Sequence, residues 1–165
     1  MQSQDMELQA ATGTYALTGK LVDDAIGRIP STQWLERPAL GSNHVLWIIG
    51  LLTTTRCLVL HALGDRREPM KLDPLFAGGI PLQEDAAYPP PAVVIEAWRE
   101  MAIRLDQVLR TATAGDLDRP SPEGMPTLNG RISGALAASA FHESYHVGQL
   151  GYLTRWLGHG PLLGR

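Results

Sequence analysis

The sequence predicts an all-α protein: a four-helix bundle with a long connection between its second and third helices. Four segments carry apolar residues at the spacing of helical turns, and no segment shows the alternation of a β-strand. Proline or glycine stands at the ends of these segments, where it stops or caps a helix. Four long helices in 165 residues are typical of a bundle, and the whole chain, 1–165, is predicted to form one domain.

Each predicted helix has an apolar stripe and a recognisable boundary. The predicted helices cover residues 5–29, 43–63, 91–114 and 129–157. Pro30 ends the first helix, and Pro91 suits the first position of the third, where its missing N–H costs nothing. We expect Ser42 or Asn43 to cap the start of the second helix, and Gly64 to end it.

Composition and charge exclude several classes of function. The net charge is -3 and no basic block stands out, so we expect no nucleic-acid binding. The single cysteine, Cys57, excludes an internal disulfide and any metal site built from several cysteines. The first residues lack a basic region followed by an apolar core, and the longest apolar segment, 44–52, is too short to span a bilayer. We expect a cytoplasmic protein without membrane contact.

The stretch HESYH, residues 142–146, matches the pattern H-E-x-x-H on the last predicted helix. Its two histidines lie about 40° apart on a helical wheel, in the middle of the apolar stripe, so we expect both to face the core. Buried imidazoles need a hydrogen-bond partner or a metal, and imidazoles at i and i+4 can bind one ion from a single helix. Two interpretations stay open: a pair of core histidines, or a metal site.

A zinc protease is excluded by what surrounds this pattern. Such an enzyme needs a third ligand, but the pattern H-E-x-x-H-x-x-G-x-x-H has Gln149 and Tyr152 in its last two fixed positions. No Asp or Glu follows His146. Glu143 lies at the edge of the apolar stripe, and we interpret it as a solvated or capping-type carboxylate, incidental to the site.

Three segments resemble the DinB-like superfamily, also described as YfiT-like metal-dependent hydrolases. They are HESYHVGQLGYLTRWLG at 142–158, NHVLWIIGLL at 43–52 and YPPPAVVIEAWREM at 88–101. The resemblance implies a four-helix bundle with one divalent metal, zinc or nickel, held by one histidine of the second helix and two of the last. His142 and His146 match the last-helix pair. The third ligand position follows Gly50, and here it is Leu51.

The departure at Leu51 keeps the function open, because leucine cannot bind a metal. The candidate metal ligands are therefore His142, His146 and His44, although His44 at the start of its helix suits a cap equally well. The predicted pocket lining is Leu51, Gln149 and Trp47. The connection over residues 64–90 is expected to line the pocket entrance. No catalytic residue is assigned.

Two functions follow from this incomplete site. The resemblance implies a metal-dependent hydrolase or a transferase that uses a low-molecular-weight thiol. The alternative is a non-catalytic bundle that binds a small molecule or a protein partner.

A second feature of the helices predicts self-association. Four aromatic residues share one flank of the last helix: Phe141, Tyr145, Tyr152 and Trp156. The second helix is apolar nearly all round, with Leu46, Ile49 and Leu60 facing away from the Leu51 side. A helix without a polar face is buried on more than one side, and a partner subunit can supply that burial. We predict a homodimer with two-fold symmetry.

Overall fold

Five α-helices make up the computed structural model, which describes residues 2–67, 74–78, 80–84 and 86–164. They are α1 (Gln2–Arg28), α2 (Val45–Ala62), α3 (Pro91–Thr111), α4 (Ala114–Asp118) and α5 (Ile132–Trp156). The four long helices form the bundle, in which α5 packs against α1 and α2, and α2 also packs against α3. No strand occurs in the described ranges, so the predicted all-α fold is confirmed.

The ends of the four long helices lie within three residues of the predicted ones, and two of the differences have local reasons. The third helix stops at Thr111, and the separate helix α4 follows, which the sequence analysis missed. A capping box starts α4: the Thr113 hydroxyl accepts from the Asp116 N–H, and the Asp116 carboxylate accepts from the Thr113 N–H. The N-cap of α2 is His44 and not Ser42 or Asn43, because the His44 Nδ1 accepts from the Trp47 N–H at 3.0 Å.

The helix α2 is the centre of the core. Its length and composition would allow it to cross a membrane, but most of it is buried inside the bundle, as is usual for the central helix of a globular protein. Leu46, Ile49 and Leu60 are all buried within the single chain. These three residues therefore need no partner subunit for their burial, because α3 and α5 pack against α2.

The described parts of the 64–90 connection lie against the start of α2. Phe76 is fully buried on Gly50, where a side-chain carbon on the helix would overlap its ring. The Tyr88 ring contacts Phe76 and also meets the edge of His44, with centroids 4.8 Å apart. These contacts fix the connection against the bundle and explain why a glycine stands at position 50. Residues 68–73, 79 and 85 of the connection lie outside the described ranges.

Candidate functional site

The two histidines of α5 form a contacting pair. The rings of His142 and His146 have centroids 4.6 Å apart and meet at 67°. His146 is 7% exposed and His142 is half-buried, as expected from their place in the apolar stripe. Two further rings, those of Trp47 and Tyr145, meet the His146 ring at centroid distances of 5.9 and 5.1 Å.

A hydrogen-bonded chain holds His146 in place. The Nδ1 of His146 lies 3.0 Å from the Oε1 of Gln149, one turn further along α5. The same Oε1 accepts a hydrogen bond from the Asn43 Nδ2 at 3.1 Å. Asn43 therefore links the segment before α2 to the histidine pair. The sequence analysis included Gln149 in the site but considered Asn43 only as a helix cap.

Both imidazoles are poorly hydrated, and two polar atoms around them lack partners. Burial lowers the pKa of His142 and of His146 below the ordinary value, so both rings are neutral at pH 7. The His142 Nδ1 and the Trp47 indole N–H are buried without a hydrogen-bond partner among the described residues. Such atoms are costly to bury, and they mark the pair as a place where water or a ligand is favoured.

His44 does not join the histidine pair but caps the start of α2. Its Nδ1 caps α2, and its ring packs edge-on against Tyr88. Burial, helped by the positive charge of Arg37, lowers the pKa of His44 to about 4. The described residues contain no group of three His, Cys, Asp or Glu side chains able to hold a metal.

At the third-ligand position, Leu51 is 5% exposed and belongs to the apolar core together with Trp47 and Leu150. A structural or catalytic zinc site needs at least three protein ligands, and in the described part of the chain only two imidazoles come together here. The residues present therefore do not fit the three-histidine metal centre that the resemblance implies.

Glu143 is the largest departure from the sequence analysis. The expectation of a solvated or capping-type carboxylate is wrong, because Glu143 is fully buried. Its Oε2 accepts from the Arg56 Nε at 2.9 Å, and its Oε1 accepts from the Arg56 Nη2 at 2.6 Å. The Thr18 hydroxyl donates a further hydrogen bond to Oε1. Paired in this way, Glu143 joins α5 to α1 and α2 and is not free to act beside the histidines.

The guanidinium of Arg56 is enclosed as tightly as its partner. It stacks over the Trp98 ring at 4.1 Å from the centroid, and its Nη2 also donates to the Tyr15 carbonyl at 3.2 Å. Gly19 leaves room for it, since a Cβ there would come within 3.2 Å of Nη2. Burial, with the Glu143 carboxylate nearby, raises the pKa of Tyr15 far above its usual range. Glu143, Arg56 and Thr18 therefore form a buried polar cluster that holds α5, α2 and α1 together.

An open groove adjoins the histidine pair. Its volume is about 520 Å³, within the range of small-molecule sites. It is lined by Pro38, Gly41, Ser42, Asn43, Tyr145, Gly148, Gln149, Tyr152 and Leu153, and is called the α5 groove below. Two of these residues, Tyr145 and Gln149, contact His146 directly. Of the predicted pocket lining, Gln149 lies in this groove, whereas Leu51 and Trp47 lie in the core.

The aromatic flank of α5 is open to solvent in the single chain. Its four residues are between 42% and 75% exposed: Phe141, Tyr145, Tyr152 and Trp156. Large aromatic residues exposed together on one helix are unusual for a monomer surface.

Comparison with known proteins adds one finding. A sequence model of the DinB superfamily matches residues 14–150, which include more than half of α1, all of α2 to α4, both histidines of α5 and much of the α5 groove. No curated protein matches the sequence.

Proposed function

The chain belongs to the DinB superfamily, and from that premise we propose that it binds an uncharged, planar small molecule in the α5 groove, without a tightly held metal. The observation that carries the proposal is the position of this groove. Two residues of the groove wall, Tyr145 and Gln149, also contact His146. In the described part of the chain, only two metal-binding side chains, His142 and His146, come together there.

The lining of the α5 groove supports an uncharged ligand. Its described wall contains no Lys, Arg, Asp or Glu, so a charged ligand would lose hydration without gaining an ionic partner. The Tyr145 and Tyr152 rings supply flat apolar walls, and the amides of Asn43 and Gln149 supply polar groups that can fix orientation. Such a site favours a flat ring that carries a small polar substituent.

The resemblance also supports metal-dependent hydrolysis or thiol transfer as a second function. The two neutral, adjacent imidazoles are the observation in its favour, since neutral histidine is the form that binds metals. Against it stands Leu51, an apolar side chain at the position where the third bond should form. We therefore place ligand binding first.

We further propose that the protein is a homodimer formed through Phe141 and Trp156 of the aromatic flank, which lie outside the α5 groove. The exposure of these two residues supports this, whereas the apolar surface of α2 gives no support because it is buried in one chain. Light scattering at micromolar concentration should give twice the chain mass, and Phe141→Glu should give the single mass. A wild-type monomer would contradict the dimer.

Phenol and benzoate provide the test of the binding site, because they share a ring but differ in charge. In two-dimensional amide NMR spectra, phenol should shift the signals of Gly41, Gly148 and Gln149 at millimolar concentration, and benzoate should not. Gly148→Phe fills the groove and should abolish the shifts. The fold should tolerate this change, because a Cβ added at Gly148 would meet nothing within 4 Å.

Gly13→Phe is the matched control, because Gly13 lies on α1 with equally open space and outside the groove. It should leave the phenol shifts intact. Shifts scattered over the surface, or equal shifts with benzoate, would contradict the proposed site.

A further inference from the structure

Gln149 makes both of its hydrogen bonds through a single oxygen. The Oε1 faces the Nδ1 of His146 at 3.0 Å and the Nδ2 of Asn43 at 3.1 Å. An amide oxygen only accepts hydrogen bonds, and the Asn43 Nδ2 only donates them. The contact with His146 is therefore a hydrogen bond only if the imidazole Nδ1 carries the proton.

This arrangement determines the state of the other ring nitrogen. In a neutral imidazole with the proton on Nδ1, the Nε2 carries a lone pair and accepts hydrogen bonds. No described residue makes a hydrogen bond to the His146 Nε2. The Trp47 ring packs against His146, and its indole N–H is a buried donor without a partner among the described residues. Among the described residues, the centre thus offers the His146 Nε2 as an acceptor, beside two buried atoms without a partner, the Trp47 indole N–H and the His142 Nδ1.

We propose that Gln149, held by Asn43, is a positioning residue that presents the His146 Nε2 as a hydrogen-bond acceptor, and that the ligand is an organic molecule carrying a hydroxyl group. A hydroxyl group can donate a hydrogen bond to the Nε2, which an ether or a carboxylate cannot do. The ligand class rests on the proposed function; the role of Gln149 does not.

The protein contains its own reference for the test. His44 accepts at Nδ1 from the Trp47 backbone N–H, so its proton must lie on Nε2, the opposite arrangement to that of His146. Both rings belong to the same chain, so one sample of protein labelled with ¹⁵N-histidine reports both. Long-range ¹H–¹⁵N spectra at pH 7.5 or above distinguish protonated from unprotonated ring nitrogens, and His146→Asn assigns the signals.

The expected spectrum shows His146 with the proton on Nδ1 and His44 with the proton on Nε2. Gln149→Leu removes the acceptor and should move the His146 proton to Nε2 in most molecules. Tyr152→Phe alters the same groove without touching His146, and it should leave the His146 proton on Nδ1. A wild-type His146 protonated on Nε2 would overturn the role of Gln149, because the Gln149 amide would then be turned over. So would a Gln149→Leu spectrum identical to that of the wild type.

Phenol and anisole test the ligand class, since methylation removes only the donated hydrogen. Phenol should shift the His146 Nε2 signal with a dissociation constant on the order of millimolar, as suits so small a ligand, and anisole should shift it several-fold less. Equal shifts would overturn the hydroxyl requirement. If phenol perturbs neither the α5 groove nor Nε2, the proposed function and the ligand class both fail, while the tautomer of His146 still decides the role of Gln149.

Discussion

Breaking the buried ion pair between Glu143 and Arg56 should destabilise the protein strongly. The change we consider is Glu143→Leu, which removes the carboxylate and leaves the guanidinium in the core. Arg56 would lose two hydrogen bonds, at 2.9 and 2.6 Å, together with the negative charge that balances its own. Its side chain is 3% exposed, so water replaces the missing partner poorly.

The expected cost is about 3–5 kcal/mol, the range for removing one partner of a buried pair. A domain of this size has a free energy of unfolding of about 5–15 kcal/mol, so the loss is a large fraction of the total. Urea unfolding followed by circular dichroism measures it. With a slope of about 2 kcal/mol per molar, the midpoint should fall by about 2 M.

Two further variants make the reasoning refutable. The double variant Glu143→Leu/Arg56→Met removes both charges and should regain most of the lost stability, because an apolar pair avoids the cost of an unpaired charge. Asp106→Asn breaks the exposed pair with Arg110 and should leave the midpoint unchanged. A loss below about 1 kcal/mol for Glu143→Leu, or a double variant no better than the single one, would refute the account.

Two other predictions concern stability. Lowering the pH from 6.5 to about 4 should reduce the free energy of unfolding by about 3 kcal/mol because of His44. His44 is protonated near pH 6.5 in the unfolded chain, but only near pH 4 in the folded protein. His44→Asn keeps a capping side chain and should reduce this pH dependence in urea titrations, while the lowered pKa values of His142 and His146 maintain the remainder; an unchanged slope would contradict it. Gly50→Ala should lower the free energy of unfolding by about 1–3 kcal/mol, because the new methyl group meets Phe76. Gly13→Ala, in open space on α1, should raise the free energy of unfolding by up to about 1 kcal/mol. If the two alanine variants changed the free energy of unfolding equally, the Phe76 contact would not be the cause.

The fold could be predicted because its signals are local. An apolar stripe at helical spacing, such as the one that contains Val94, Trp98 and Met101, indicates both the helix and its buried face. The helix α4 was missed because five residues are too few to show periodicity. Its capping box, Thr113 with Asp116, was the visible signal in the sequence.

The site could be predicted only in part, because its decisive contacts join distant parts of the chain. The helical wheel placed Glu143 at the edge of a stripe, but its burial depends on Arg56, 87 residues earlier, and on Thr18 of α1. The link from Asn43 to Gln149 is equally remote in sequence. Neither partner could be identified from periodicity, whereas the inward position of His146 could be.

Zinc binding by tag-free protein tests the central claim, that His142 and His146 lack a third protein ligand. After dialysis against micromolar zinc and then metal-free buffer, elemental analysis should find far less than one zinc per chain in the wild type. Leu51→His, which supplies the third imidazole at the position that the resemblance indicates, should retain close to one. Near-stoichiometric zinc in the wild type, lost in His142→Ala, would contradict the account.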